Sequence, residues 1–225
     1  GLFPPFLETV LDKKTRGLVL IAGEMGKGKT TTAASIVVAR LQRHGGIAVA
    51  IEDPPETALN GVHGMGRGIQ GQASRKSGGY REHLIRALRS GADDIFIGEI
   101  RDADTAAEAI QAGINGHFIL ATIHASSIEA AIERVATLSD AYFSSGIETA
   151  YSNLSLGLKA VLWQTLDVPL GQNGNVVKRL RCKSLVIDGD ASGVKSKIAS
   201  GKIGLLGQDI DEQQRKAKYA AQWSS

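Results

Sequence analysis

The eight residues from Gly23 to Thr30 read Gly-Glu-Met-Gly-Lys-Gly-Lys-Thr and satisfy the pattern G-x-x-x-x-G-K-[ST] completely. They follow a short apolar run, Gly17 to Ala22, and precede an Ala-rich run from Thr31 to Arg43. The apolar run predicts a buried strand, and the Ala-rich run predicts a helix closed by Gly45 and Gly46. A strand, a glycine-rich loop and a helix in this order are typical of a phosphate-binding loop.

The residue types of this loop suit phosphate chemistry. Glycines let successive backbone N–H groups converge on phosphate oxygens, and the helix N-terminus adds a favourable dipole. We expect Lys29 to reach the β- and γ-phosphates and the Thr30 hydroxyl to ligate Mg²⁺. Glu24 adds a carboxylate to this anion-binding loop, and Lys27 offsets its charge. The residues predicted to bind a nucleotide are Gly23, Gly26, Lys27, Gly28, Lys29, Thr30 and Thr31.

Sequence features beyond the loop bear on which nucleotide it binds. No Asn-Lys-x-Asp motif follows, so a Ras-like GTPase is disfavoured and ATP is the expected nucleotide. A small P-loop kinase is an alternative, and it would need an arginine-bearing lid. The segment from Gly61 to Ser90, with six basic residues against Glu82, could imitate that lid. The other alternative is a Gly- and Lys-rich surface turn that matches the pattern by chance.

Three further apolar runs predict buried strands, at Ile47 to Ile51, Ile95 to Gly98 and Phe118 to Thr122. Helical segments separate several of these runs along the chain. Strands that are apolar throughout and alternate with helices favour an α/β fold, in which a mainly parallel sheet has helices on both faces.

The remaining local signals concern helix starts and turns. Thr105 with Glu108, and Ser126 with Glu129, are spaced as capping boxes that open two helices, the first ending near Gly113.

The segments that follow predict a further helix and a hairpin. Ile147 to Val161 predicts the helix. Asn173 and Gly174 lie between apolar or alternating segments and predict the hairpin. The seven glycines between Gly61 and Gly79 predict a mobile loop.

Composition describes one globular domain, or one domain with an appendage. At 225 residues and 43% hydrophobic, the chain is long enough for a substantial core. We expect a domain over residues 1–188 and a helical or partly flexible tail over 189–225. A net charge of +3 is no signature of nucleic-acid binding.

Cysteine content and hydropathy bear on the compartment. The single Cys182 excludes an intramolecular disulfide framework and a Cys-based zinc cluster, which fits a reducing compartment. Apolar runs are well short of the ~18 residues that a membrane-spanning helix needs. No signal peptide is visible, and a start at Gly1 rather than Met suggests a fragment or processed product. A cytosolic location is therefore expected.

Carboxylates follow two of the predicted strands, at the edge where ligands bind in open α/β sheets. Glu52 ends the second strand, and Glu99 follows the third. A carboxylate in this position can hold the water shell of Mg²⁺ or orient an attacking water, so we expect both to be catalytic. The alternative is that Asp102 or Asp104 only caps the next helix and that Arg101 only pairs with an acid.

His117 and His124 flank the strand at Phe118 to Thr122. In isolation each is an ordinary polar residue, and zinc binding is disfavoured because no i, i+4 partner or nearby Cys supplies further ligands. Beside a phosphate loop, however, His124 could donate a hydrogen bond to a γ-phosphate.

Taken in order, these segments resemble the secretion-type ATPase superfamily, which powers type IV pili, type II secretion and type IV secretion or conjugation. The resemblance covers about Leu2 to Ile187 and includes the phosphate loop. Its other parts are an Asp box at Ile51 to Glu56, an atypical Walker B segment at Ile95 to Asp102 and a His box from Gly116 to Ser126. The stretch Leu162 to Leu166 is similar to the pilus-retraction branch and its relatives in type IVB secretion and conjugation.

The resemblance implies RecA-like domains in a hexameric ring that hydrolyses ATP between neighbouring subunits. It implies that Glu52 is a candidate general base, that Glu99 serves the metal and the attacking water, and that His124 senses the γ-phosphate. Arg134 matches an arginine that the family can present across the subunit boundary, where a guanidinium stabilises transition-state charge. The alternative is a solvated arginine paired with a glutamate of its own helix.

The implied function is a Mg²⁺-dependent ATPase motor at the cytoplasmic face of the inner membrane, acting on a platform protein of a pilus or secretion system. Nucleic acid is not expected as a direct ligand. Two alternatives are a nucleotide-gated interaction module with negligible turnover and a DNA-translocating RecA-like ATPase.

The sequence departs from the family pattern in three respects. We expect the family's N-terminal domain, related to PAS folds, to be missing from this chain. The segment Ile69 to Ser77 lacks the usual glutamine and glutamate pattern. The tetracysteine zinc module of extension and type II secretion members is also missing, which favours the retraction or type IVB branch.

Overall fold

The computed structural model describes residues 4–74, 78–143, 145–167, 178–187 and 191–222. The strands are β1 (Gly17–Gly23), β2 (Gly46–Glu52), β3 (Gly61–His63), β4 (Gly66–Gln72), β5 (Asp94–Ile97), β6 (Phe118–His124), β7 (Leu158–Asp167) and β8 (Arg179–Val186). The helices are α1 (Pro4–Leu11), α2 (Lys29–His44), α3 (Gly79–Arg89), α4 (Ala103–Ile114), α5 (Ile128–Phe143), α6 (Ile147–Gly157), α7 (Ser192–Ala199) and α8 (Leu206–Gln222), with a 3₁₀ turn at Ile203–Leu205 before α8.

The strands form one sheet in the order β3-β4-β2-β5-β6-β1-β7-β8. The six strands from β4 to β7 pair in parallel, while β3 and β8 pair antiparallel at the two ends. Strand β1 is buried at every position, because its side chains alternate between two apolar clusters on opposite faces of the sheet. The predicted α/β fold with a mainly parallel sheet is confirmed.

The predicted mobile loop at Gly61 to Gly79 is wrong in its first half, which forms β3 and β4. Glycine is required there by packing. A Cβ on Gly68 would collide with the carbonyl oxygen of Leu59, and one on Gly66 would lie 2.7 Å from a methyl group of Leu41. The glycines therefore bring a strand close to α2 and the preceding loop.

The predicted helix from Ile147 to Val161 is too long, because it ends at Gly157 and the next residue begins β7. Gly157 packs against α4, where a Cβ would lie 2.7 Å from the carbonyl oxygen of Ile110. The residues after it pair in parallel with β1. A short apolar segment such as the one after Gly157 does not distinguish a buried helix from a buried strand, so periodicity alone does not mark this boundary.

Both predicted capping boxes are displaced from the caps in the structure. Asp102, not Thr105, caps α4, and its Oδ1 accepts a hydrogen bond of 2.8 Å from the Thr105 N–H. Ser127, not Ser126, precedes α5, and its Oγ accepts from the Ala130 N–H at 3.1 Å. An aspartate is a strong cap because its charge also interacts favourably with the helix dipole.

The predicted C-terminal hairpin is present as β7 and β8, although its expected turn at Asn173 and Gly174 lies outside the described residues. Beyond it, buried side chains of α7 and α8 join the apolar cluster on one face of the sheet. The Gln213 side chain donates to the Val186 carbonyl and accepts from its N–H, both at 2.8 Å, which fixes α8 to β8. The domain boundary at residue 188 stays a prediction.

Within the described ranges, no helix has both the length and the apolar character needed to cross a membrane.

A buried ion pair joins α2 to β5. The Arg40 guanidinium donates to both carboxylate oxygens of Asp94 at 2.9–3.0 Å and to the carbonyl oxygens of Val10 and Asp12 at 2.6 and 2.9 Å. It also lies 3.8 Å from the ring centroid of Phe118 in β6. One side chain thus links the end of α1 to two central strands.

We predict that Asp94→Asn lowers the free energy of unfolding by about 3–5 kcal/mol, because the Arg40 charge stays buried without its partner. Urea unfolding followed by circular dichroism measures this loss. The matched control is Glu82→Gln, which removes the surface ion pair with Arg86 and should cost no more than about 1 kcal/mol. Equal losses in the two variants would contradict the assigned role of the buried pair.

Candidate active site

A cavity of about 230 Å³ opens at the edge of the sheet where β1, β2, β5 and β6 end. Parallel strands bring their carboxyl ends to this edge, so residues distant in sequence meet there. Six of the expected site residues line it: Gly26, Lys29, Thr30, Glu52, Glu99 and His124.

His124 lies beside the phosphate loop because it pairs with Gly23 in the parallel register of β6 and β1. Its Nε2 accepts a hydrogen bond of 3.1 Å from the Met25 N–H. The ring is therefore the tautomer with an unprotonated Nε2, and it holds the loop in place. In this arrangement Nε2 is an acceptor rather than the expected donor.

The loop turns into α2 through Gly28, whose φ of 77° falls in the left-handed region that favours glycine. Lys29 follows as the first helical residue, and its Nζ donates to the Glu24 carbonyl at 2.8 Å. Burial lowers the pKa of Lys29, and the nearby carboxylates of Glu99 and Glu56 oppose that shift. A partly desolvated ammonium at a helix N-terminus is suited to bind an anion.

Other predicted nucleotide-binding residues lie outside the cavity lining. The Lys27 side chain points to β7, where its Nζ lies 3.4 Å from the Leu166 carbonyl oxygen. Thr31 is exposed on α2 and lines two shallower cavities instead. Gly23 and Gly28 lie on the side of the loop that faces β7, next to Gln164.

Glu99 forms an ion pair with Arg101, whose Nε lies 2.6 Å from the carboxylate. This hydrogen bond raises the pKa of Arg101, so the guanidinium stays charged. The Glu99 side chain is 24% exposed and remains accessible from the cavity. Asp102, by contrast, caps α4, which agrees with the alternative that this aspartate caps the next helix.

Glu52 is only 2% exposed. Its carboxylate accepts hydrogen bonds from the Gln70 amide, from the Thr57 hydroxyl at 3.1 Å and from the Glu56 N–H at 3.4 Å. Gly98 of the neighbouring segment leaves room for it, since a Cβ there would lie 3.1 Å from Glu52 Cγ. Glu52 therefore fixes the segment after β2 to β4, and Glu99 is the more accessible carboxylate.

Tyr80 lines the cavity but was missed by sequence reasoning, because no motif contains it. Burial raises the pKa of Tyr80 to about 12, while Arg101 acts in the opposite direction. The phenol is therefore neutral at physiological pH and can donate a hydrogen bond into the cavity.

Arg134 is exposed on α5 and does not line the cavity. In the part of the chain that the structure describes, no ion pair holds it, including the alternative pair with a glutamate of its own helix. It is therefore open to a neighbouring molecule.

Of the arginines considered for a kinase lid, those that the structure describes lie in β4 or α3 rather than in a loop. Arg81 and Arg86 lie on α3, where they pair with Glu108 and Glu82. The neighbouring Arg75 and Lys76 lie outside the described residues.

The oxygen donors of the cavity fit Mg²⁺ held together with phosphate. Among the described residues, no group of three or more His, Cys, Asp or Glu side chains could hold a metal by itself. Thr30 and Glu99 offer a hydroxyl and a carboxylate, and Mg²⁺ commonly takes one or two protein oxygens with water and substrate phosphates.

Comparison with known proteins identifies the family. The model of the family described as "Type II/IV secretion system protein" matches residues 5–206, and the chain belongs to that family. The type II secretion system protein E of Klebsiella pneumoniae is 35% identical over 169 residues, which cover 74% of this chain and 31% of that protein. The type IV pilus retraction ATPase PilT of Pseudomonas aeruginosa is 34% identical over 158 residues, which cover 69% and 44%.

The solved structure of a relative supports the same family and fold. The crystal structure of the pilus retraction motor PilT with bound ADP superimposes with a TM-score of 0.80 and 26% identity, covering 94% of this chain and 58% of that one. The resemblance to secretion-type ATPases and the RecA-like core are confirmed. The matched part of the chain spans 31% of the Klebsiella pneumoniae protein and 44% of PilT, which is less than half of either relative.

We predict that ADP affinity falls at alkaline pH, beginning below the pH at which an ordinary lysine titrates. Bound phosphate should raise the pKa of Lys29 above its lowered value in the free protein. Affinity is then constant below that lowered pKa and decreases as pH rises through it. Fluorescent ADP titrations between about pH 7 and 10.5 measure this, with calorimetry in two buffers to detect proton uptake.

Two variants control this profile. Tyr80→Phe should keep its shape, since a phenol with a pKa of about 12 does not titrate in the range. Lys29→Gln should bind weakly with no alkaline decrease. A profile for the unsubstituted chain that is flat to the end of the range would contradict the role of Lys29.

Proposed function

We propose that this chain is the ATP-hydrolysing domain of a secretion- or pilus-type motor. The observation that supports it is the meeting of Lys29, Thr30, Glu99 and His124 in one cavity, in a chain of the type II/IV secretion family. These four residues come from three separate sequence motifs, since Lys29 and Thr30 share the phosphate loop, and a chance match of the loop pattern would not bring the three motifs together.

The binding step uses groups that are already in place. The loop N–H groups and the α2 dipole face the phosphates, and Lys29 exchanges the Glu24 carbonyl for phosphate oxygens. When bound, Mg²⁺ would be held by Thr30 and, through water, by Glu99, and would neutralise charge on the phosphates. Release of Met25 would free His124 to sense the γ-phosphate.

We assign the orientation of the attacking water to Glu99. Its carboxylate is accessible, and Arg101 must release it or move with it when a nucleotide binds. Glu52 is the second candidate for general base, although Gln70 and Thr57 already donate hydrogen bonds to its Oε2. Rate enhancement at such a site depends mainly on positioning and electrostatics.

Single-turnover ATP hydrolysis at high protein concentration tests this assignment. We predict that Lys29→Ala abolishes binding, whereas Glu99→Gln retains ADP binding and loses at least about 100-fold in rate, the usual scale for removal of a catalytic electrostatic or acid–base group. Glu52→Gln should reduce the rate less, and it should also lower stability. Undiminished hydrolysis by Lys29→Ala would show that the site is wrong.

The motor function requires subunits to share sites. We propose a ring, a hexamer in the complete protein, in which Arg134 of one subunit reaches the phosphates bound by the next. Its exposure and lack of an ion pair in the described part of the chain support this role. A guanidinium supplied from a neighbour stabilises transition-state charge that the cavity alone leaves uncompensated.

Mixing two inactive variants tests this shared site. Arg134→Ala and Lys29→Ala should each be inactive, but a mixture should regain part of the activity, since some interfaces combine an intact loop with an intact arginine. Recovery should increase with protein concentration. No recovery at any ratio, with assembly shown by mass measurement, would contradict action of Arg134 across the interface.

At the cellular level, we propose that the complete protein works in the cytoplasm, at the inner membrane, on a platform protein of a pilus or secretion system. The changes in subunit geometry that follow hydrolysis would power pilus retraction or biogenesis, or type IV secretion or conjugation. Direct binding of nucleic acid is not part of this proposal.

A second candidate is a nucleotide-gated interaction module with negligible turnover. One observation favours it: Glu99 and Lys29 are both engaged by other groups, Arg101 and the Glu24 carbonyl. Turnover that increases with assembly supports the motor, whereas ATP binding without turnover in the assembled state supports the module.

A further inference from the structure

Strand β7 lies next to β1, so its side chains meet the back of the phosphate loop. Gln164 is 1% exposed there, and its Nε2 donates a hydrogen bond of 2.6 Å to the Lys27 carbonyl oxygen. Its backbone carbonyl occupies the place that a Cβ on Gly23 would need. Gln164 thus contacts the loop at two points, 137 residues away in sequence from Lys27.

The bond to Lys27 fixes the direction of a loop N–H group. The Lys27 carbonyl and the Gly28 N–H belong to one planar trans peptide unit, so they point in opposite directions. Holding the carbonyl against β7 therefore directs the Gly28 N–H away from β7. Gly28 is the residue that leads into α2, where N–H groups are free to bind an anion.

The other atom of the amide shows why a glutamine is needed. Among the described residues, Gln164 Oε1 is buried without a hydrogen-bond partner. Such an acceptor costs stability, and an apolar side chain of equal size would avoid the cost. Reversing the amide would place Oε1 against the Lys27 carbonyl, two acceptors in contact. The hydrogen bond that Nε2 donates to the Lys27 carbonyl therefore accounts for a glutamine at this position.

We propose that Gln164 is a positioning residue that holds the phosphate loop in its nucleotide-binding conformation from the side opposite His124. The inference rests on the proposed nucleotide binding at this loop. It predicts that loss of the amide donor weakens phosphate binding more than it weakens the fold.

The test compares Gln164→Met with Gln213→Met. Both remove an amide that is hydrogen-bonded to backbone, but the half-buried Gln213 joins α8 to β8 and does not line the candidate active site. We expect the two variants to lose similar thermal stability. Gln164→Met should raise the dissociation constant of Mg·ADP about tenfold, the scale of one lost buried hydrogen bond, and Gln213→Met should leave it within about twofold.

A second readout does not require nucleotide. Hydrogen exchange of the amides at residues 27–30 should be faster in free Gln164→Met than in the free unsubstituted chain, and unchanged in Gln213→Met. If the unsubstituted chain binds no ADP, the proposed function fails. Hydrogen exchange in the free chain still tests whether Gln164 positions the phosphate loop. Should Gln164→Met not fold, Gln164→Asn, whose shorter amide cannot reach Lys27, is measured instead. Unchanged affinity and exchange in a folded Gln164 variant would overturn the inference.

Discussion

The parallel pairing of β2, β5, β6 and β1 is the constraint on which the candidate site depends. It brings four carboxyl ends to one edge, so Glu52, the Glu99 segment, His124 and the phosphate loop meet without any of them being near another in sequence. The buried pair of Arg40 and Asp94 supports this arrangement from the opposite end of β5. Because both faces of the sheet are covered, polar groups concentrate at that edge.

The phosphate loop is held from two neighbouring strands. On one side His124 of β6 accepts from the Met25 N–H, and on the other Gln164 of β7 donates to the Lys27 carbonyl. Strand β7 continues into the antiparallel pair with β8, and Gln213 fixes α8 to β8. A continuous set of hydrogen-bonded elements therefore connects the loop to the C-terminal helix.

Sequence reasoning identified what local patterns encode. The strand, loop and helix around Lys29 and the acids after two strands were recovered because each lies in one contiguous motif. Strands β3 and β4 were not predicted, because their glycines serve close packing against Leu41 and Leu59 and resemble loop residues when the sequence is considered alone. The Arg40–Asp94 pair, Tyr80 and Gln164 carry no local signal, because their roles depend on partners far along the chain.

The central claim is that a nucleotide binds in the cavity between Lys29 and Glu99. Backbone amide NMR shifts of the chain, recorded while Mg·ADP is added, test it most directly. The account predicts saturable shifts at residues 26–30, Glu99 and His124. Shifts confined to another cavity, such as the one lined by Ser127, Lys183 and Asp211, would contradict it.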